Sequence, residues 1–405
     1  MNIDLSDFFT TPNYFRNGVS CFLCVSRKKL IQSTPEEKVR QALIYFLVNR
    51  LDFPADRILV EVPMSHYAKG VSGRADIVVL NKEGIPVMVV ECKEENSDVT
   101  DEAIAQARRY EGVVKSGAIL VTNGLEAYCE VMDGTAGYKP LGKIPSYRNL
   151  TKWRWFSFKS QKPRVYKRPP FLSPIPQPVV DMHVQQGWLG EDTLHSLYPF
   201  IFNLTGWLFD ERDRVAPASI TASTLLEDGG IRRSQFGNAG GGKFSGEYRY
   251  FVIKDENGNN QILSLSIFGG AKTVSHPRWG NRKGYTYLTV AVDDFESSHM
   301  SLELNLDKYV DLQGEHASIW HDGSITVGKL GQRPRKELLD YLQKDAPQLV
   351  VDGKIILGKL NKAVEIKSGH ESTIDFLNRL ILYALLRDRY RRMVKGATLH
   401  TGISP

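Results

Sequence analysis

Asp76 stands at the head of the apolar run Asp76-Ile-Val-Val-Leu80, and Glu91 and Lys93 close the next run, Val89-Val-Glu-Cys-Lys93. Gln106 and Tyr110 follow on a segment with helical spacing. Residue types in that order suit metal-assisted attack on a phosphodiester. Mg²⁺ takes oxygen ligands, keeps several waters and needs only one or two carboxylates. Asp76 and Glu91 supply such oxygens. An ion held there polarises a phosphoryl group, lowers the pKa of a bound water and steadies charge on the leaving oxygen. Residues two apart in a strand share a face, so Glu91 and Lys93 project together and Cys92 turns away. An ammonium at that place orients the attacking water or offsets charge building on the phosphate.

The elements needed to position these groups are legible around them. Ile77–Leu80 and Val87–Val90 are continuous β-branched runs of the kind found in buried strands. Asn81-Lys-Glu-Gly84 between them reads as a tight turn, giving a hairpin that returns Glu91 and Lys93 to the neighbourhood of Asp76. Residues 100–114 read as a helix, with Ala103, Ile104, Ala107, Tyr110 and Val114 on one stripe and acids at its start. Gln106 and Tyr110, four apart, share a face. Upstream, Thr34-Pro-Glu-Glu37 has the form of a helix start, and Val39, Leu43, Phe46 and Leu47 continue an amphipathic helix. Ile58–Val62 and Ala118–Val121 are further strands. The predicted order is helix, three strands, helix, strand.

Over residues 33–133 the chain resembles the PD-(D/E)xK nuclease superfamily. More narrowly it resembles the N-terminal nuclease domain of type I restriction enzyme R subunits. The resemblance rests on Thr34-Pro-Glu-Glu-Lys-Val-Arg-Gln41, Arg74-Ala-Asp-Ile-Val78, Val90-Glu-Cys-Lys93, Gln106 with Tyr110, and Val121-Thr-Asn-Gly124. It implies a restriction-endonuclease-like α/β core, a mixed sheet flanked by helices. It implies Asp76 and Glu91 as metal ligands, Lys93 as the catalytic lysine, and Gln106 and Tyr110 positioning the nucleic acid or the lysine. A carboxylate on the first helix completes such sites, and Glu36 or Glu37 serves; Glu36 is favoured by its place near the apolar stripe. The cofactor implied is Mg²⁺, with Mn²⁺ able to substitute.

Taken alone, Glu91 and Lys93 read as an ion pair at a strand end. Asp76, the hairpin and Gln106 with Tyr110 turn that reading toward a nuclease site. Arg40 and Arg74 read either as phosphate contacts or as solvated charges.

The 405 residues suffice for two or three domains, and 42% hydrophobic with 24% charged residues is ordinary for a globular chain. No apolar run reaches membrane-helix length, and the first residues lack the regions of a secretory signal. Four cysteines make no disulfide scaffold, and Cys21-Phe-Leu-Cys24 has no second pair for zinc. A reduced cytoplasmic setting is the expectation.

Net charge is +6, unevenly spread. Residues 134–180 contain no acid but carry ten lysines and arginines, among them Lys152, Arg154 and Lys159, interleaved with aromatics. Cations neutralise phosphate and rings stack on unpaired bases, so this stretch is a candidate nucleic-acid contact. Pro169, Pro170, Pro174, Pro176 and Pro178 then read as a stiff connector. The organisation expected is an extension over 1–32, the nuclease domain over 33–133, a basic aromatic linker over 134–180 and a β-rich α+β domain over 181–405. In that last part, Tyr248–Ile253 and Gln261–Phe268 flank a hairpin turn, and residues 372–394 read as a long helix with a basic end.

Two motifs there mislead. Gly237-Asn-Ala-Gly-Gly-Gly-Lys243 has P-loop spacing, but Phe244 replaces the Ser/Thr that would bind Mg²⁺. Glu365-Ile-Lys367 repeats the Glu-x-Lys, yet the residues before it are too polar for a buried strand. No ATPase motor motifs follow the nuclease-like segment, so ATP-driven translocation is not expected. The reading is a Mg²⁺-dependent nuclease, on DNA before RNA, in restriction or antiviral defence. Cutting both strands with one site per chain favours a homodimer. Two alternatives stay open: a module that binds nucleic acid without cutting, and a subunit active only with a defence-system partner protein or a ligand.

Overall fold

Thr34 accepts the Glu37 amide and Pro35 occupies the first turn, starting helix α1 (Pro35–Leu51). The computed structural model describes residues 1–132, 137–152, 168–171, 175–220, 223–238, 241–277, 280–293 and 298–401. It divides into two units, Met1–Arg164 and Val165–Pro405.

In the first unit, β1 (Tyr14–Arg16), β2 (Val19–Leu23) and β3 (Leu30–Gln32) form a small antiparallel sheet ahead of α1. After α1 come β4 (Ile58–Pro63), β5 (Arg74–Leu80), β6 (Pro86–Cys92), helix α2 (Asp101–Val114), β7 (Ala118–Thr122), β8 (Ala127–Met132), β9 (Tyr138–Pro140) and helix α3 (Tyr147–Lys152). The six strands pair in chain order. Only β6 and β7, joined through α2, are parallel among these neighbours; the other pairings are antiparallel. This is a mixed sheet with helices on both faces. Ile77, Val79, Met88 and Val90 pack toward α1, whereas Val78, Val89, Ile119 and Val121 pack toward α2. Coverage of both faces explains why β5 to β7 are apolar without alternation. By the same two-residue period Glu91 falls on the face of α2, where Gln106 meets it, while Asp76 reaches Arg40 of α1.

Two features differ from the sequence reading. Residues 1–32 carry β1 to β3, with Leu5 fully buried in the main core. The sheet also continues past residue 133, because Tyr138–Pro140 pairs with Glu130–Met132 and Tyr138 reaches Glu111. Both segments are short strands, with too few residues to display a period.

The second unit opens with helices α4 (Gln177–Gln185) and α5 (Tyr198–Phe209). Strands β10 (Ala218–Ile220), β11 (Ser223–Gly237), β12 (Lys243–Asp255) and β13 (Asn260–Gly269) follow. β14 (Thr273–His276) and β15 (Gly280–Arg282) make a small hairpin before β16 (Thr286–Asp293) and β17 (Ser298–Asn305). The sheet order is β10-β11-β12-β13-β16-β17. One parallel bridge, Gly237 with His299, brings β11 back to β17 and curls the sheet toward closure. A short helix, α6 (Leu306–Tyr309), leads to β18 (Val310–Gln313), β19 (His316–His321), the pair β20 (Ile325–Thr326) and β21 (Gln332–Arg333), helix α7 (Arg335–Asp345), β22 (Val350–Val351) and β23 (Lys354–Asn361). The order β18-β19-β23-β22 forms a second sheet. Helix α8 (Glu371–Thr401) supplies Phe376, Leu377, Leu380 and Ile381 to a core shared with α5 and both sheets. This unit is a β-rich α+β body. No helix among the described residues is long and apolar enough to cross a membrane.

Candidate active site

The β5–β6 ladder pairs Ile77 with Val90, which sets Asp76 beside the end of β6. Asp76 Oδ2 accepts the Cys92 amide at 2.6 Å, and Oδ1 accepts Arg40 Nη2 at 2.7 Å. Glu91 on β6 and Lys93 just beyond its end meet, with Lys93 Nζ donating to Glu91 Oε1 at 2.9 Å. Gln106, reaching down from α2, donates to the same oxygen at 2.6 Å. Asp76, Glu91, Lys93 and Gln106 therefore come from two strands and a helix into one cluster. Glu91 Oε2 is buried and has no hydrogen-bond partner among the described residues.

Arg40 occupies the centre of the acidic side. Its guanidinium pairs with Glu36, Glu37 and Asp76 and, at 2.7 Å, with Glu61. Glu61 lies on β4 at φ 58°, a sparsely populated conformation for a residue with a side chain, and also pairs with Arg74. Glu37 is enclosed, with Gln41 donating to it at 2.7 Å, whereas Glu36 keeps 46% of its side chain exposed. Of the two helix carboxylates, Glu36 is therefore the one open to an incoming ion.

The electrostatics favour a cation. Five carboxylates (Glu36, Glu37, Glu61, Asp76 and Glu91) face three cations (Arg40, Arg74 and Lys93). The excess when all are ionised equals one divalent ion. Burial, then the charge of Asp76, pushes the Glu91 carboxyl up to about 7. Burial likewise raises Asp76 despite Arg40, and burial and Asp76 raise Glu36. Burial pulls the Lys93 ammonium down, but the hydrogen bond and charge of Glu91 outweigh it and hold Lys93 above its ordinary value. Such mutual perturbation in a cleft is a mark of functional sites.

No three histidine, cysteine or acidic side chains among the described residues converge into a ready metal cage. Arg40 accounts for this, since it draws four carboxylates around itself. The donor set nevertheless fits Mg²⁺: hard oxygens, two principal carboxylates, and one carboxylate oxygen still free of a partner.

Other expected residues lie elsewhere. Tyr110 does not join the carboxylates; it packs along Gly73, where an added Cβ would meet its hydroxyl at 2.8 Å, and beside Val62, Val78 and Val89. One helical turn beyond Gln106 carries it past the cluster. Arg40, read as a candidate phosphate contact, is instead buried among acids, which leaves it no face toward solvent. Arg74 is exposed on the rim. Lys152 is exposed at the end of α3, while Arg154 and Lys159 lie outside the described residues. Cys92 is fully buried. Glu61 was missed by the sequence reading, although one acid inside Ile58-Leu-Val-Glu-Val62 was the available signal.

The second Glu-x-Lys is an instructive contrast. Glu365 Oε2 and Lys367 Nζ pair at 3.0 Å, nearly as Glu91 and Lys93 do. They lie after β23 rather than at a strand end, Lys367 is largely exposed, and the further partner is Arg168, a cation. The ion pair alone does not make the site; the acids around it do.

Residues 35–145 match the family model for the type I restriction enzyme R protein N terminus. No curated protein matches the chain. The matched segment, about a quarter of the chain, contains every residue of the cluster just described.

Proposed function

We propose that the first unit is a metal-dependent nuclease of the PD-(D/E)xK type, acting on DNA in a restriction role. The observation that carries this reading is the convergence of Asp76, Glu91, Lys93 and Gln106, with Glu91 Oε2 buried and unpaired. The match to a restriction enzyme segment supports DNA as the substrate class.

Asp76 and Glu91 would hold Mg²⁺, with Glu36 at the open side. When bound, the ion supplies Lewis-acid polarisation of the phosphoryl group and a water of lowered pKa. The chain does the rest. The Cys92 amide fixes one oxygen of Asp76, so the other points toward Arg40 and the cleft. Gln106 fixes Oε1 of Glu91, leaving Oε2 as the donor. Lys93, kept protonated by its acidic neighbours, sets a positive charge where negative charge develops on the phosphate. Arg74 on the rim would meet a backbone phosphate.

Arg40 favours a second reading of the same site, a nuclease active only with a partner or ligand. Its guanidinium already satisfies Asp76 Oδ1, so loading a metal requires that contact to loosen.

The test is cleavage of circular and linear duplex DNA, single-stranded DNA and RNA in Mg²⁺, Mn²⁺ and EDTA. The stand-alone reading predicts metal-dependent cutting of DNA. Intact binding without cutting under every condition rejects it in favour of the conditional one.

A further inference from the structure

The second unit carries a half-open polar cavity of about 540 Å³ at the seam where β11 returns to β17. Gly237 and Asn238 line one side, Ser301 and Glu303 another, and the β20 segment a third. Arg387, Arg391 and Lys395 come from α8. They are four residues apart, so they fall on one helical stripe.

The company of these arginines is unusual. Arg387 is 4% exposed; its Nε donates to the Ser301 carbonyl, and its Nη1 to the Ser324 carbonyl and the Tyr383 hydroxyl, each at 3.0 Å. Arg391 donates to the Thr326 carbonyl at 3.1 Å, the Ser301 carbonyl at 2.9 Å and the Ser301 hydroxyl at 3.3 Å. Every acceptor is neutral. Among the described residues no carboxylate forms an ion pair with either guanidinium, and Arg387 Nη2 has no protein acceptor. Two nearby acids offset part of this charge without touching it: Asp388 pairs with His299 at 2.8 Å and Arg392 at 2.6 Å, and Glu303 accepts Asn238 at 3.1 Å, yet the charge of each still reaches Arg391. His321 in the wall is held neutral by burial and by Arg387, so it adds no charge.

Burial, together with the charge of Arg387, pushes the Arg391 guanidinium down to about 9. Like charges brought together in a desolvated wall are costly until an anion completes them. Guanidinium and phosphate make strong, charge-assisted hydrogen bonds. The cavity falls in the range of small-ligand sites, roughly 300–1,000 Å³.

We propose that this cavity binds a small phosphate-bearing ligand, with the phosphate on Arg387, Arg391 and Lys395 and a hydroxyl or amino donor of the ligand facing Glu303. The glycine-containing turn at Gly237 and Asn238 thus borders a phosphate site without being a P-loop. The basic end of α8 is its floor rather than a nucleic-acid arm.

Isothermal titration of the full chain in EDTA, which suppresses binding at the acidic site, tests this. The probes are ADP, pyrophosphate, inorganic phosphate and a short single-stranded oligonucleotide. The chain is titrated as wild type and as Arg391→Gln and Lys395→Glu; Lys395 is exposed, so its variant keeps the fold. Saturable binding of ADP or pyrophosphate is expected, weakened about tenfold or more by either variant. Preference for ADP assigns the phosphate to a nucleotide, and equal binding assigns it to a free phosphate; both uphold the site. No saturable binding of any small anion, equal binding by all three proteins, or binding of the oligonucleotide alone overturns it. None of these outcomes depends on nuclease activity.

Discussion

Each unit buries arginine in a polar cluster, and the two clusters differ in sign. Arg40 sits among four carboxylates, more than it can neutralise. Arg387 and Arg391 bond only to carbonyls and hydroxyls, and the charges of Glu303 and Asp388 reach them without contact. On the readings proposed above, the excess charge suits a cation in the first unit and an anion in the second. Counting arginines would make the clusters look alike; only their partners separate them.

The largest effect should come from breaking the first cluster. Arg40→Met leaves buried carboxylates facing one another and should destabilise the first unit by about 3–5 kcal/mol in EDTA. Mg²⁺ should recover part of that loss by binding the folded state. Urea unfolding with and without the ion measures both. A variant as stable as wild type in EDTA would show that the acids do not need their cation.

Acid should strain the second unit next. Burial pushes His183 down to about 4; its Nδ1 donates to the Val179 carbonyl at 2.8 Å, while its buried Nε2 has no hydrogen-bond partner among the described residues. The unfolded chain binds the proton near the ordinary value of 6.5. Stability from this group is therefore whole above 6.5 and declines as pH falls toward about 4, by up to about 3 kcal/mol at one proton. His183→Gln should flatten that decline in melts taken across the window. An unchanged slope would assign the acid sensitivity elsewhere.

Gly73→Ala sharpens the account of Tyr110. The position has φ 101°, and the new methyl would collide with the Tyr110 hydroxyl. A loss of about 1–3 kcal/mol is expected, with cleavage retained if Tyr110 only packs. Loss of cleavage in a folded variant would return Tyr110 to the chemistry.

Smallest of all should be Arg391→Gln. It removes a repelling charge while keeping a donor, so unligated stability should change by less than about 1 kcal/mol. A loss as large as that of Arg40→Met would erase the contrast between the clusters.

Much of the first site was legible because strand periodicity is rigid. The two-residue step from Glu91 to Lys93 obliges a shared face, and the Asn81–Gly84 turn obliges the return to Asp76. Gln106 followed from helical spacing, but Tyr110 did not, since the turn that carries it past the cluster depends on how α2 lies over Gly73. The enclosure of Arg40 depends on Glu61, which reaches it from a separate strand in a strained conformation. In the second unit the β12–β13 hairpin and α8 were visible as local patterns. The cavity was not, because Gly237, Ser301 and Arg391 meet only through sheet closure and long-range packing.

The central claim is that Asp76, Glu91 and Lys93 form one metal-dependent phosphodiesterase site. Its most direct measurement is DNA cleavage by wild type, Asp76→Ala and Lys93→Ala, each titrated with Mg²⁺ after removal of metal. The account predicts cutting that rises with Mg²⁺ in wild type and falls by at least about 10²-fold in both variants. Cutting by Lys93→Ala at the wild-type rate, or cutting by wild type that persists in EDTA, would contradict it.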